Sequence, residues 1–238
     1  MTRLGMLTPS SNTALEPLTA AMLAGLPGVS AHFARFPVTE IALSETALAQ
    51  FDDAPVLAAA GLLAHAKVDV IAWNGTSSGW LGFAADERLV ARIAAETGIA
   101  ATTSMLALNE VLAARGAKRV AFVTPYLDAV QARIVGNYAA LGYECVAERH
   151  LGLQDNFSFS EVSGATLSGM LRAVAAAKPD AIAVICTNLR AAGLVPALEA
   201  ETGIPIYDTI ATAVWKSLLL AGVDPSLVAG WGRLFEGL

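Results

Sequence analysis

Short apolar, β-branched runs alternate along this chain with longer alanine-rich segments of helical period. The runs at 3–9 (RLGMLTP), 29–38, 68–74, 119–125, 143–151 and 180–187 are bounded by turn residues and predict strands. The segments 86–96, 103–115, 127–141, 165–177, 192–201 and 209–221 repeat apolar residues every three to four positions and predict helices. Strands alternating with helices argue for βαβ units, hence an α/β fold with mostly parallel strands covered on both faces. The apolar runs are continuous rather than alternating, as strands buried on both sides require.

The pattern is written twice. KVDVIAWNGT (67–76) and KPDAIAVICT (178–187) share Lys, Asp, Ile-Ala and a final Thr at the same spacing. RLGMLTPSSN from Arg3 parallels RVAFVTPYLD from Arg119, and AETGI occurs at 95–99 and at 200–204. Three landmarks in the same order, offset by 105 to 116 residues, predict duplicated halves at 1–115 and 116–238. No Pro/Gly/Ser-rich linker separates them, so the halves are expected to pack intimately with their strand ends facing each other. Ligands of open parallel sheets sit beyond the carboxyl ends of the strands. A cleft there would carry Gly75 on one wall and Cys186 on the other. The expected architecture is two pseudo-symmetric parallel-sheet α/β halves with the active site between them.

Composition narrows the function classes. The chain is 55% hydrophobic and 15% charged, with a net charge of −6. Its 15 Lys and Arg residues are scattered, which argues against nucleic acid as a partner. Apolar stretches such as APVLAAAGLLAHA (54–66) are too short or too interrupted to span a bilayer, and the N-terminus lacks signal-peptide character. Two cysteines, Cys145 and Cys186, are too few for a disulfide framework, and no Cys/His spacing suits zinc. A cytoplasmic enzyme with free thiols, no metal and no organic cofactor is the expectation, since GxGxxG, P-loop and HExxH patterns are all missing.

The segments GMLTPSSNTALEP, AKRVAFVTPYLDAV, DAIAVICTN and GWGRLF together resemble the aspartate/glutamate racemase superfamily. Within it they resemble the branch of maleate cis–trans isomerases and arylmalonate decarboxylases, and the likeness covers nearly the whole chain. The resemblance implies one cysteine per half, on opposite faces of the substrate carbon. Cys186 fills the second position, whereas Gly75 stands at the first, in a GTS word that resembles the decarboxylases. PSSNT (9–13) and LQDNF (153–157) are closer to the isomerases and their ectoine-utilisation relatives. By that likeness Asn12, Tyr126 and Asn156 would hold a small carboxylate or dicarboxylate. Relatives of this kind allow one to four subunits, so a homo-oligomer is compatible with the chain.

Chemistry orders the alternatives. Two-thiol racemisation needs a base on one face and an acid on the other, and glycine supplies neither. Addition to a double bond needs a nucleophile. Thr76, Ser77 and Ser78 lie near, but no Lys or His adjoins them as an activator. Decarboxylation of a malonate-type acid needs only one proton donor for its enediolate, and the Cys186 thiol would serve. Donors for the enediolate oxygens would be Thr76, Ser77, the Tyr126 hydroxyl and the backbone N–H groups of Cys186 and Thr187. Phe36, Val38 and Trp80 are candidate walls of a dry pocket. Decarboxylation is therefore the leading expectation. A maleate-type isomerase or racemase is the alternative, and a non-catalytic carboxylate-binding protein is a third. Cys145 reads as core, Asp208 as a helix cap, the three histidines carry no assigned role, and Trp80 is taken as the only tryptophan near a motif.

Overall fold

Eight parallel strands form two four-stranded sheets in the computed structural model, which describes residues 1–237. The first sheet contains β1 (Thr2–Pro9), β2 (Val29–Phe36), β3 (Val70–Trp73) and β4 (Ala101–Thr103), in the order β2-β1-β3-β4. The second contains β5 (Arg119–Thr124), β6 (Glu144–His150), β7 (Ala181–Val184) and β8 (Ile206–Asp208), in the order β6-β5-β7-β8. Every ladder is parallel. β3 and β7 are buried along their whole length, as their uninterrupted apolar sequence demands.

The helices between them are α1 (Leu15–Leu23), α2 (Glu45–Ala49), α3 (Asp53–His65), α4 (Ser78–Leu81) and α5 (Ala84–Thr97). They continue with α6 (Ser104–Ala114), α7 (Asp128–Ala140), α8 (Gly164–Ala175), α9 (Val195–Thr202) and α10 (Thr209–Leu220). All six expected strands and six expected helices are present, with ends shifted by at most three residues. Two strands were not expected. β4 and β8 are three residues each, ATT and IYD, too short to show a periodic signal.

The repeated words have the same local geometry in both sheets. Among the described residues, Lys67 and Lys178 are the two non-glycine residues with positive φ, at 53° and 50°. Each turns the chain so that the aspartate two residues on accepts a backbone N–H at the start of the central strand. Arg3 N donates to Asp69 Oδ2 at 2.7 Å, and Arg119 N donates to Asp180 Oδ2 at 2.8 Å. Each arginine side chain then donates to the carbonyl of the strained lysine, at 2.8 Å in both copies. The AETGI words end α5 and α9 with left-handed Gly98 and Gly203, where a side chain would strain the backbone. Thr97 and Thr202 each donate back to the carbonyl four residues earlier at 2.7 Å.

The two sheets share one continuous hydrophobic core. α10 packs on α6 and α4 on α7 across it. Thr212 Oγ1 donates to Ser104 O at 2.9 Å, and Asn137 Nδ2 donates to Gly79 O at 2.9 Å. In each sheet the chain leaves the second-placed strand for one edge and returns on its other side. The switch points therefore lie between β1 and β3 and between β5 and β7, and the ends of these four strands converge.

Candidate active site

Beyond those four strand ends lies a small pocket of about 20 Å³, room for a single water. β1 supplies Pro9, and the turn after β3 supplies Gly75, Thr76 and Ser77. Tyr126 follows β5, and Cys186 with Thr187 follows β7. Val38, Ile41 and Phe51 close it from the segment after β2, Asn156 from the segment after β6, and Trp73 and Trp80 complete its apolar walls. Cys186 is 2% exposed yet lines this cavity together with Gly75.

Three side chains meet at its polar end. Tyr126 Oη and Thr76 Oγ1 are 2.7 Å apart, and the same phenol lies near enough to the Cys186 thiol for each to perturb the other's titration. Trp80 and Phe159 pack edge-on against the Tyr126 ring, with centroids at 5.2 and 5.7 Å, and hold it in place. Burial pushes the Cys186 thiol up to about 12, against hydrogen bonds from the backbone of Asn188 and Leu189 and from Tyr126 that favour the thiolate. Burial likewise drives Tyr126 well above the usual phenol range, with the neighbouring Cys186 adding to it. At neutral pH both groups are therefore protonated, a donor pair rather than a nucleophile and base. Asn188 N donates to Cys186 Sγ at 3.3 Å, which orients the sulfur.

Gly75 is a close-approach glycine. Its φ is outside the left-handed region, so the backbone does not require glycine there. Space does. A Cβ at this position would lie 2.0 Å from Trp73 Cζ2 and 2.3 Å from Cε2, so the indole occupies the place of a first-half side chain.

Asn12 does not line the cavity. Its Oδ1 accepts Ala14 N at 3.0 Å and Leu15 N at 2.9 Å, capping α1, while Nδ2 donates to Thr187 O and Oγ1 at 3.0 and 3.1 Å. Thr187 Oγ1 in turn donates to Asn74 O at 2.9 Å, tying the two strand ends together. Asn156 faces the cavity and donates to Ser11 Oγ at 2.7 Å. Its backbone N–H donates to Thr39 O, and Ile41 N donates to Gln154 O, both at 2.9 Å, so two straps are zipped over the site. Ser77 occupies the N-cap position of α4 without a side-chain capping bond, leaving its hydroxyl free of that role. The Cys186 N–H is not a free oxyanion donor, because it donates to Thr209 Oγ1 at 3.1 Å.

Several residues escaped the sequence reading. Asn188 joins three segments: Oδ1 accepts Thr13 N and Ala14 N at 2.9 and 3.2 Å, and Nδ2 donates to Asn156 O. Its place beside Cys186 in CTN was the available signal. Trp73 lines the cavity as well as Trp80, while Phe36 stands behind Trp73 at 4.7 Å rather than on the wall. Cys145 is half-buried on β6, with its thiol directed at Ala147 O, 3.6 Å away. Asp208 caps α10 through Ile210 N and Ala211 N. Among the described residues no cluster of His, Cys, Asp and Glu is disposed to hold a metal ion. A wider surface cleft of about 480 Å³ lies beside α9. Its Glu199 carboxylate is already bonded to Ile206 N and Arg233 N, so it gathers no free donor set comparable to the central cavity.

A family model described as arylmalonate decarboxylase matches residues 4–235. The arylmalonate decarboxylase of Bordetella bronchiseptica is 29% identical across 70% of this chain and 71% of its own length. The maleate isomerase of Pseudomonas putida is 28% identical across 99% of this chain and 97% of its own. Among solved structures, a Nocardia farcinica maleate cis–trans isomerase with a covalently bound succinylcysteine intermediate superposes with a TM-score of 0.89 at 26% identity, covering 98% of both chains. A crystal structure of arylmalonate decarboxylase superposes with a TM-score of 0.81 at 26% identity, covering 98% of this chain and 99% of that one.

Proposed function

This chain belongs to the arylmalonate decarboxylase family, and from that premise we propose that it decarboxylates a small malonate-type dicarboxylate, with Cys186 as the proton donor. The observation that carries this reading is a single, neutral thiol in the cavity, facing a wall of Gly75 and Trp73 that holds no second acid or base.

The carbon–carbon bond to one carboxylate breaks heterolytically and CO2 departs toward the apolar walls formed by Val38, Ile41 and Trp80. The electron pair passes into the remaining carboxylate, giving a planar enediolate. Tyr126 Oη and Thr76 Oγ1 donate to its oxygens, with the Ser77 hydroxyl as a further donor, a role supported by their 2.7 Å contact and by the shared lining of the pocket. A preorganised donor of this kind is worth roughly 3–4 kcal/mol at a developing oxyanion. The Cys186 S–H bond then breaks as a C–H bond forms on one face of the carbon. The resulting thiolate is stabilised by the Asn188 N–H and regains its proton from solvent when the straps part. Asn12 and Asn188 act as positioning residues that fix the turn carrying Cys186 and Thr187.

The second reading, a maleate-type isomerase, is favoured by the closer superposition on the Nocardia farcinica isomerase, 0.89 against 0.81. It requires a nucleophile that a thiol held near 12 provides poorly at neutral pH. Incubation with methylmalonate and with maleate in D2O, read by NMR and mass spectrometry, separates the two. Release of CO2 from methylmalonate with uptake of one carbon-bound deuteron supports decarboxylation. Conversion of maleate to fumarate without CO2 release supports isomerisation and overturns it.

A further inference from the structure

We propose that Trp73 is the specificity-determining wall of this site: its indole takes the place of a side chain at residue 75 and restricts the substrate's α-substituent, on the face opposite Cys186, to hydrogen or methyl size. The inference rests on the malonate reading above and deepens it to a substrate class, small aliphatic malonates rather than aryl ones.

Residues two apart near a strand end project to the same side, so Trp73 and position 75 compete for one volume. The competition is decided in favour of the indole. A Cβ on Gly75 would meet three ring atoms of Trp73 at 2.0, 2.3 and 2.6 Å, far inside van der Waals contact. The ring cannot easily yield. Trp73 is 2% exposed, and Phe36 backs it with ring centroids 4.7 Å apart. On its far side the neighbouring cavity, bounded by Phe51, Asp86 and Leu89, measures only about 30 Å³. Parting the straps after β2 and β6 can admit a substrate, but it leaves Trp73, anchored on β3 between β1 and β4, where it is. A phenyl group on that face would have to displace a packed indole, whereas a methyl group needs only the space beside it.

The test has two arms. In the first, methylmalonate and phenylmalonate are compared for binding by thermal shift and for turnover, in the wild type, Trp73→Phe and Trp73→Leu. The wild type is expected to favour methylmalonate by about tenfold or more, the scale on which apolar pockets discriminate by size. The preference should fall in Trp73→Phe and vanish or invert in Trp73→Leu. In the second arm, Gly75→Ala is made alone and with Trp73→Leu, and melting temperatures are read without substrate. Gly75→Ala should lower the melting temperature in the wild-type background and cost little or nothing beside Trp73→Leu.

An unchanged preference across the three proteins overturns the proposal, as does equal tolerance of Gly75→Ala in both backgrounds or failure of every variant to bind either acid. If the binding preference shifts as stated but neither acid is decarboxylated, the wall stands and the reaction assigned above fails.

Discussion

The hydroxyl of Tyr126 lies 2.7 Å from Oγ1 of Thr76, so the end of β5 in one sheet is joined to the end of β3 in the other. The same phenol and the Cys186 thiol at the end of β7 are close enough to raise or lower each other's titration. A parallel α/β sheet gathers its functional groups at strand ends. Here two such sheets bring three ends to one point, and of the two protonated groups there, the thiol of Cys186 is the one we assign to proton transfer to carbon.

Tyr126→Phe removes that junction while keeping the ring that packs on Trp80 and Phe159. Circular dichroism and the melting temperature should change little. Turnover of methylmalonate should fall by about 10²–10³, the loss expected for one oxyanion donor.

The pH profile distinguishes a thiol from a thiolate. Cys186 is raised from 9.0 to about 12, so its proton is retained through the neutral and mildly alkaline range. The decarboxylation rate should be level from about pH 7 to about pH 10 and fall only beyond it. A reaction that needs the thiolate would instead rise with pH across this window. The same shift makes the folded state hold its proton more tightly than the unfolded chain. The stability this supplies is complete below pH 9 and is lost as pH climbs toward about 12, a loss that Cys186→Ala should reduce.

Asp208 is fully buried at the N-terminus of α10, and burial raises its carboxyl from 3.8 to about 7. Its Oδ2 has no hydrogen-bond partner. Folding therefore binds a proton, and the wild type loses stability as pH rises from 3.8 through about 7. Asp208→Asn keeps an oxygen to accept Ile210 N and Ala211 N but cannot ionise. Relative to the wild type it should gain about 1–3 kcal/mol at pH 8 in urea unfolding, with the gain shrinking toward zero near pH 4.

Much of this arrangement was legible because it is written in words that recur. Lys67 and Lys178 mark the same strained turn, Asp69 and Asp180 pin the same strand start, and the AETGI words end equivalent helices. Long apolar runs gave the buried strands. β4 and β8 were not legible, since ATT and IYD are too short for a period and exist only as partners of β3 and β7. At the site, the shared cavity of Gly75 and Cys186 followed from matching positions in the two copies. The contest between Trp73 and a side chain at 75 did not, because it depends on a rotamer and on Phe36 behind the ring. The diversion of the Cys186 N–H to Thr209 is likewise a contact between residues 23 apart. It withdraws one donor that the sequence alone assigned to the substrate.

The most direct measurement is the handedness of the product formed from methylmalonate in D2O. The wild type should yield propionate carrying one deuterium at the α-carbon in a single configuration, and Cys186→Ala should lose at least about 10³ of the rate while still binding the acid. Propionate deuterated equally on both faces, or a Cys186→Ala variant with undiminished turnover, would contradict one-sided proton delivery from this thiol.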